Sequence, residues 1–137
     1  MIKDIIDFVI GCIAGLLSWF FGGIDGFIEV LLTFTIIDYL SGVAAAYMRH
    51  ELSSEEGFKG IAKKILIFTL VGVAHMIDKN LLSNSEALKT AVCLFYVGNE
   101  GISILENAVH LGLPVPESLK TKLAKLTGDD ERCTTGK

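Results

Sequence analysis

Long apolar stretches separated by short polar or glycine-rich interruptions divide this sequence into four hydrophobic segments. They cover residues 5–24, 27–48, 61–77 and about 88–105. About 20 apolar residues cross a bilayer as a helix, and the first two segments reach that length. The third is short, and the fourth becomes amphipathic at Asn99. The pattern therefore predicts an all-α integral membrane protein of helical hairpins with about four transmembrane helices.

The connections between segments contain residues that favour turns or helix starts. Gly22, Gly23 and the pair Asp25–Gly26 predict a tight turn between the first two helices, because glycine adopts backbone angles that other residues avoid. Ser53 followed by Glu56 resembles a capping box, which predicts a short interfacial helix that runs toward Lys64. Lys64 itself is expected to extend toward lipid headgroups.

The C-terminal part of the sequence differs in character from the hydrophobic segments. Pro114 and Pro116 end the fourth segment, because proline cannot continue a regular helix. Residues 117–126 place leucines at helical spacing among lysines, which predicts a short amphipathic helix on the inner membrane surface. We expect residues 1–127 to form one membrane-embedded domain and residues 128–137 to form a disordered cytoplasmic tail.

The distribution of positive charge predicts the orientation of the chain. Four crossings with an inside N-terminus place ten Lys and Arg residues on the cytoplasmic side and only Lys79 and Lys89 outside. Positive residues near membrane ends stay in the cytoplasm, so this bias favours both termini in the cytoplasm. If the first segment lay flat on the membrane surface, three crossings would result.

Composition supports a membrane protein and argues against several other classes. The chain is 51% hydrophobic with a mean hydropathy of +0.54. Its net charge of −4 gives no basic excess for nucleic acid. Catalytic and metal-binding motifs are not found, so we expect neither enzymatic activity nor a cofactor. The three cysteines are interpreted as packing residues and His75 as a polar anchor at the membrane interface.

Ionisable and polar residues inside the apolar segments are the strongest functional signal. Such groups are costly at bilayer depth unless they face protein or water. Asp38 lies near the middle of the second segment, and a polar stripe runs along one face of the fourth. The candidate pore-lining or oligomer-contacting residues are Asp38, Tyr96, Asn99, Glu100, Ser103, Glu106 and Asn107. Asp38 is expected to pair with a polar group such as Asn99, to stay protonated in a closed state, or to enter water when a pore opens. Two alternatives remain: Asp38 is a satisfied structural carboxyl inside the single-chain bundle, or the fourth helix leaves the bilayer at Glu100.

Small residues form smooth surfaces on the first two helices. Gly11 and Gly15 lie four residues apart on the first helix, and Gly42 and Ala46 do so on the second. In lipid, close backbone approach at such positions holds helices together. These four residues are therefore candidate helix-packing positions, either within the chain or between copies.

Several blocks of the sequence resemble the toxin-secretion/phage-lysis holin family over residues 27–127. The matching blocks are Asp38-Tyr39-Leu40-Ser41-Gly42, Gly57-Phe58-Lys59-Gly60-Ile61, Ala74-His75-Met76-Ile77-Asp78, residues 95–107 and Gly112-Leu113-Pro114-Val115-Pro116. Ser41 stands where the family pattern has Thr. A second methionine near the N-terminus, which some holins use to start an inhibitory form, is absent, since the next is Met48.

The resemblance implies a homo-oligomer that collects in the bacterial cytoplasmic membrane and opens lesions at a set time. Its implied partners are membrane lipids and a peptidoglycan-degrading endolysin or an exported toxin. The polar residues are then expected in protein contacts while subunits are dilute and in water after assembly. The alternatives are a small ion channel or transporter, and a non-conducting membrane adaptor. No inverted repeat or selectivity-filter sequence favours the channel or transporter.

Overall fold

The computed structural model describes residues 1–126, and every described helix is α-helical. The helices are α1 (Ile2–Phe21), α2 (Gly26–Met48), α3 (Ser54–Leu81), α4 (Ala87–His110) and α5 (Glu117–Leu126). The predicted all-α class is confirmed. The expected disordered tail lies outside the described residues, and so does Cys133.

Glycine and aspartate form the turn between α1 and α2, as the sequence predicts. Gly22 ends α1 with a φ of 72°, in the left-handed region that glycine adopts without strain. The N–H groups of Gly22 and Gly23 donate to the carbonyl of Ser18. Asp25 then caps α2 by accepting a hydrogen bond from the N–H of Ile28 at 3.0 Å. This turn reverses the chain with few unpaired backbone groups.

The predicted break before the third hydrophobic segment is wrong, because α3 is continuous there. The sequence predicts a separate interfacial helix there, but one continuous helix of 28 residues begins at Ser54. Ser53 precedes it without forming the side-chain hydrogen bond of a capping box. Gly57 and Gly60 face the side chain of Tyr39 on α2, and neither glycine ends the helix. The helix is about 42 Å long, which exceeds a bilayer core of about 30 Å.

Helices α2, α3 and α4 form the packed bundle. Helices α2 and α4 run in the same direction, since Asp25 contacts Lys89 near their starts and Asp38 contacts Asn107 farther along. Helix α3 connects them in the opposite direction. The apolar core between the three consists of Ile28, Leu31, Ile67, Val71, Cys93 and Val97. Helix α5 packs against α4.

Helix α1 contacts the bundle mainly through its last turn. The Phe20 ring covers Gly72 of α3, and Phe21 meets Phe68 edge-on at a centroid distance of 6.4 Å. Residues 1–19 are exposed, including Cys12. An apolar groove of about 1030 Å³ separates α1 from α2 and α3. The single chain therefore leaves most of α1 free to contact lipid or other protein.

Within residues 1–126, α1, α2 and α3 are long and apolar enough to cross a membrane. Many of their large apolar side chains point outward, as a lipid-facing surface requires. Helix α4 falls outside this group because polar and charged residues interrupt its apolar face. Its charged residue Glu100 is nevertheless buried against the bundle.

Candidate functional site

Three charged side chains from three helices meet inside the bundle. The ammonium of Lys64 on α3 lies 2.5 Å from a carboxylate oxygen of Asp38 on α2 and 2.5 Å from one of Glu100 on α4. Asp38 is 8% exposed and Glu100 is 3% exposed. We call these three residues the Lys64 triad. Its ion pairs connect α2, α3 and α4 at one point.

Asn107 adds a polar clamp beside the triad. Its amide nitrogen donates toward the Asp38 carboxylate at 3.0 Å, the Asp38 carbonyl at 3.1 Å and the Ser41 hydroxyl at 3.0 Å. The same amide lies 3.5 Å from where a Cβ on Gly42 would stand, which is an ordinary van der Waals distance. Asp38 is thus held by both α3 and α4.

The charged groups of the triad lie far from the ends of their helices. Asp38 and Glu100 each lie about 20 Å along their helices from the helix start, at a rise of 1.5 Å per residue. An unpaired charge at such depth is costly, whereas a paired and hydrogen-bonded one is tolerated. Among the described residues, no buried side-chain nitrogen or oxygen lacks a partner. A single chain therefore shields its own buried charges.

A polar cleft leads to the triad from the α2–α3 loop. It has a volume of about 610 Å³ and is bordered at that loop by Glu51, Leu52 and Ser53. Deeper residues include Asp38, Lys64 and Glu100. Water can thus approach the charged groups from one end of the bundle, whereas core side chains fill the region toward the other end.

The cleft brings together most of the residues that the sequence singled out. Its lining includes the candidate residues Asp38, Tyr96, Asn99, Glu100, Ser103 and Asn107, and the packing candidates Gly42 and Ala46. Glu106 is exposed and outside this lining. Gly11 and Gly15 lie on α1, and no atom of another element lies within 4 Å of where a Cβ on either would stand. These two glycines make no close contact within the single chain.

Lys64 is the central residue that sequence reasoning assigned wrongly. The sequence predicts that it extends toward headgroups, but its ammonium points inward to two carboxylates. Asn99 is exposed, and Asp38 pairs with Lys64 and Asn107 instead of Asn99. The signal that could have found Lys64 was charge balance, because two acids in apolar segments require a cation and Lys64 borders the third segment.

A second polar cluster joins the helices at the opposite end. Lys89 is 2% exposed and its ammonium lies 2.9 Å from Asp25. Partial burial by itself raises the pKa of Asp25. The hydrogen bond and charge of Lys89, together with backbone N–H donors, lower this pKa by more, so the pKa of Asp25 falls below its usual range. The α1–α2 turn is thereby attached to the start of α4.

Asp78 belongs to the same end of the bundle and stabilises the start of α4. It is 1% exposed and accepts hydrogen bonds from the N–H groups of Leu88 at 3.1 Å and Lys89 at 2.8 Å. A carboxylate on α3 thus caps the start of α4, in place of a side chain next to that helix start. His75, expected as an interfacial anchor, is half-buried and lies against Gly22 of the α1–α2 turn.

The site has no arrangement typical of a metal centre. Among residues 1–126, no group of three His, Cys, Asp or Glu side chains is placed to hold a metal ion. The triad instead combines two acids with a cation already in contact. Its chemistry is that of ion pairing and hydrogen bonding.

Comparison with known proteins finds one matching family and several similar proteins. Residues 15–128 match the sequence profile of the Bacteriophage holin family. An uncharacterized protein of Listeria monocytogenes is 44% identical over 93% of this chain and 94% of its own length. An uncharacterized Clostridium perfringens protein is 41% identical over 90% of this chain and 96% of its own. A protein of Bacillus phage phi105 named "Probable holin" is 32% identical over 85% of each chain. No solved structure matches.

Proposed function

Because the chain belongs to the bacteriophage holin family, we propose that it oligomerises in the bacterial cytoplasmic membrane and forms lesions that release an endolysin or a toxin. The family is one of non-enzymatic membrane proteins, and the three apolar helices agree with a membrane location. Lesion formation, assembly and the cargo are parts of this proposal.

The Lys64 triad is the observation that supports the proposal most directly. In the single chain, ion pairs and Asn107 satisfy the polar groups of α2 and α4 while apolar side chains cover the outside. A subunit can therefore accumulate in lipid without exposing the charges of the Lys64 triad. Separation of α4 from its neighbours would turn the same groups into a polar wall, which a water-filled lesion needs.

The small-residue surface of α1 supplies a contact surface between copies. Within residues 1–126, Gly11 and Gly15 are uncovered, and α1 is attached mainly at its last turn. Helices in lipid associate through close approach at small residues, because apolar burial gives little driving force there. We assign α1 to assembly and the cleft residues to the lesion wall.

The proposed orientation places both termini in the cytoplasm after four crossings. Helix α4 crosses as the fourth helix because α2 and α3 cover its charged residue Glu100. The cleft then opens to the cytoplasm at the α2–α3 loop. Lys89 adds little to the positive charge outside the membrane, because Asp25 neutralises its ammonium.

Release of a folded enzyme tests this function. The full chain is induced in bacteria together with a cytoplasmic endolysin that has no secretion signal, while membrane potential and culture turbidity are followed. We expect depolarisation followed by lysis only when both proteins are present. The endolysin alone is the control.

Two other results would contradict the proposal in different ways. Depolarisation with the endolysin retained inside cells would support a small ion channel instead. An unchanged membrane potential at verified membrane expression would support a non-conducting adaptor. Neither result tests the ion pairs of the Lys64 triad.

A further inference from the structure

The Lys64 triad contains one more acid than base. Lys64 supplies one positive charge, whereas Asp38 and Glu100 supply two negative charges when both are ionised. The remaining contacts of Asp38 come from the neutral Asn107 amide and do not balance this excess. Fully ionised, the triad would leave one uncompensated negative charge inside an apolar bundle, which is strongly unfavourable.

Other charged groups near the triad do not cancel this excess. The α2–α3 loop contributes Glu51 to the cleft, and α3 contributes Glu56 and Lys63, all exposed near the mouth. Helix α4 contributes the phenol of Tyr96 and α2 that of Tyr39. At the mouth, Glu51 pairs with Arg49 and Glu56 pairs with Lys59, and all four side chains are exposed. These exposed charges therefore do not balance the excess acid inside the bundle.

We propose that the Lys64 triad is a proton-binding site, in which one proton shared by Asp38 and Glu100 neutralises the buried cluster and keeps α2, α3 and α4 packed. Two carboxylates that share one cation at a buried site bind a proton between them. The cleft supplies the route by which this proton exchanges with water. Loss of the proton leaves a net negative charge, which favours water entry and separation of α4.

Infrared spectroscopy of the full chain in lipid nanodiscs tests the proton directly. A protonated carboxyl absorbs separately from a carboxylate and shifts in heavy water. We expect one buried protonated carboxyl per chain near neutral pH in the wild type. Glu100→Gln and Asp38→Asn should each lose this band, because a single remaining acid balances Lys64. Lys64→Met should double it, and Glu29→Gln, which alters an exposed acid on α2, should leave it unchanged.

The inference is overturned if the wild type shows no protonated carboxyl near neutral pH. It is also overturned if the band persists in both Glu100→Gln and Asp38→Asn. Circular dichroism establishes that each variant is folded, and the wild-type measurement decides even if one variant is not. The measurement needs no lesion and no lysis, so its outcome is separate from that of the proposed function.

Thiol labelling tests the link between the proton and the packing. Ser103→Cys reports on the cleft and Leu52→Cys on the exposed loop, with Cys12 and Cys133 replaced by serine and the buried Cys93 retained. The ratio of the two labelling rates should rise with pH, by up to about tenfold per unit for one released proton. Glu100→Gln should abolish this dependence. A ratio that stays constant with pH in the wild type would contradict the coupling.

Discussion

Asp78 shows how one buried carboxylate can determine the start of a distant helix. Replacing it with Ala removes the acceptor for two N–H groups of α4 and leaves them buried without partners. We expect a loss of about 2 kcal/mol in the free energy of unfolding, as for a lost cap or charged hydrogen bond. The measurement is SDS-induced unfolding from mixed micelles, followed by circular dichroism.

Glu86 provides the matched control for that prediction. It precedes α4 directly, yet its side chain forms no capping hydrogen bond. Glu86→Ala should therefore change the free energy of unfolding by no more than about 0.5 kcal/mol. Equal effects of the two substitutions would mean that Asp78 does not stabilise the helix start.

The Asp25–Lys89 pair predicts a dependence of stability on pH. The pKa of Asp25 is lower in the folded chain than in the unfolded chain, so its stabilising effect is full above the unfolded pKa and disappears as pH falls through the folded pKa. Asp25→Asn keeps a capping oxygen but removes the charge. The wild type should thus be more stable than Asp25→Asn near neutral pH, and this difference should vanish in acid. An SDS-unfolding series across pH measures it, and a difference that persists in strong acid would refute the assignment.

At the level of elements, the contact of Phe20 with Gly72 is one of those that attach α1 to α3. A Cβ on Gly72 would overlap the ring of Phe20. We expect Gly72→Ala to displace Phe20 and to cost about 1–3 kcal/mol of unfolding free energy, as overpacking does. Phe20→Leu in the same chain should recover part of that loss. Gly15→Ala is the control, because open space surrounds Gly15 and Ala favours a helix more than Gly.

The helices themselves were largely predictable, because each depends on local pattern. Hydrophobic length located the four long helices to within a few residues at most ends, and α5 has the predicted bounds of Glu117–Leu126. The continuity of α3 was missed, because the sequence predicts a short interfacial helix after Ser53 and a separate third segment from residue 61, whereas one helix runs through both. Gly57 and Gly60 lie within this helix and beside Tyr39 of α2, a neighbour that lies far away in sequence.

The candidate site was only partly predictable, because its partners come from different helices. A polar stripe on α4 and an acid within α2 indicated which residues avoid lipid. The sequence did not indicate which cation Asp38 and Glu100 share, since a lysine near a helix end can extend outward or inward with equal ease. Only the packing of α2, α3 and α4 directs Lys64 inward.

For the whole molecule, the arrangement of crossings follows from the helix directions. If all four long helices span the bilayer, the α2–α3 loop and the α4–α5 connection lie on one side and the α3–α4 turn lies on the other. A single cysteine substituted for Leu52, Asn84 or Leu113 reports on one of these three connections. All three positions are exposed. In intact cells, an impermeant thiol reagent should label only the cysteine at position 84. The cysteines at 52 and 113 should react after permeabilisation, because positive charge holds their connections in the cytoplasm. Labelling of position 113 together with position 84 in intact cells would show that α4 does not cross.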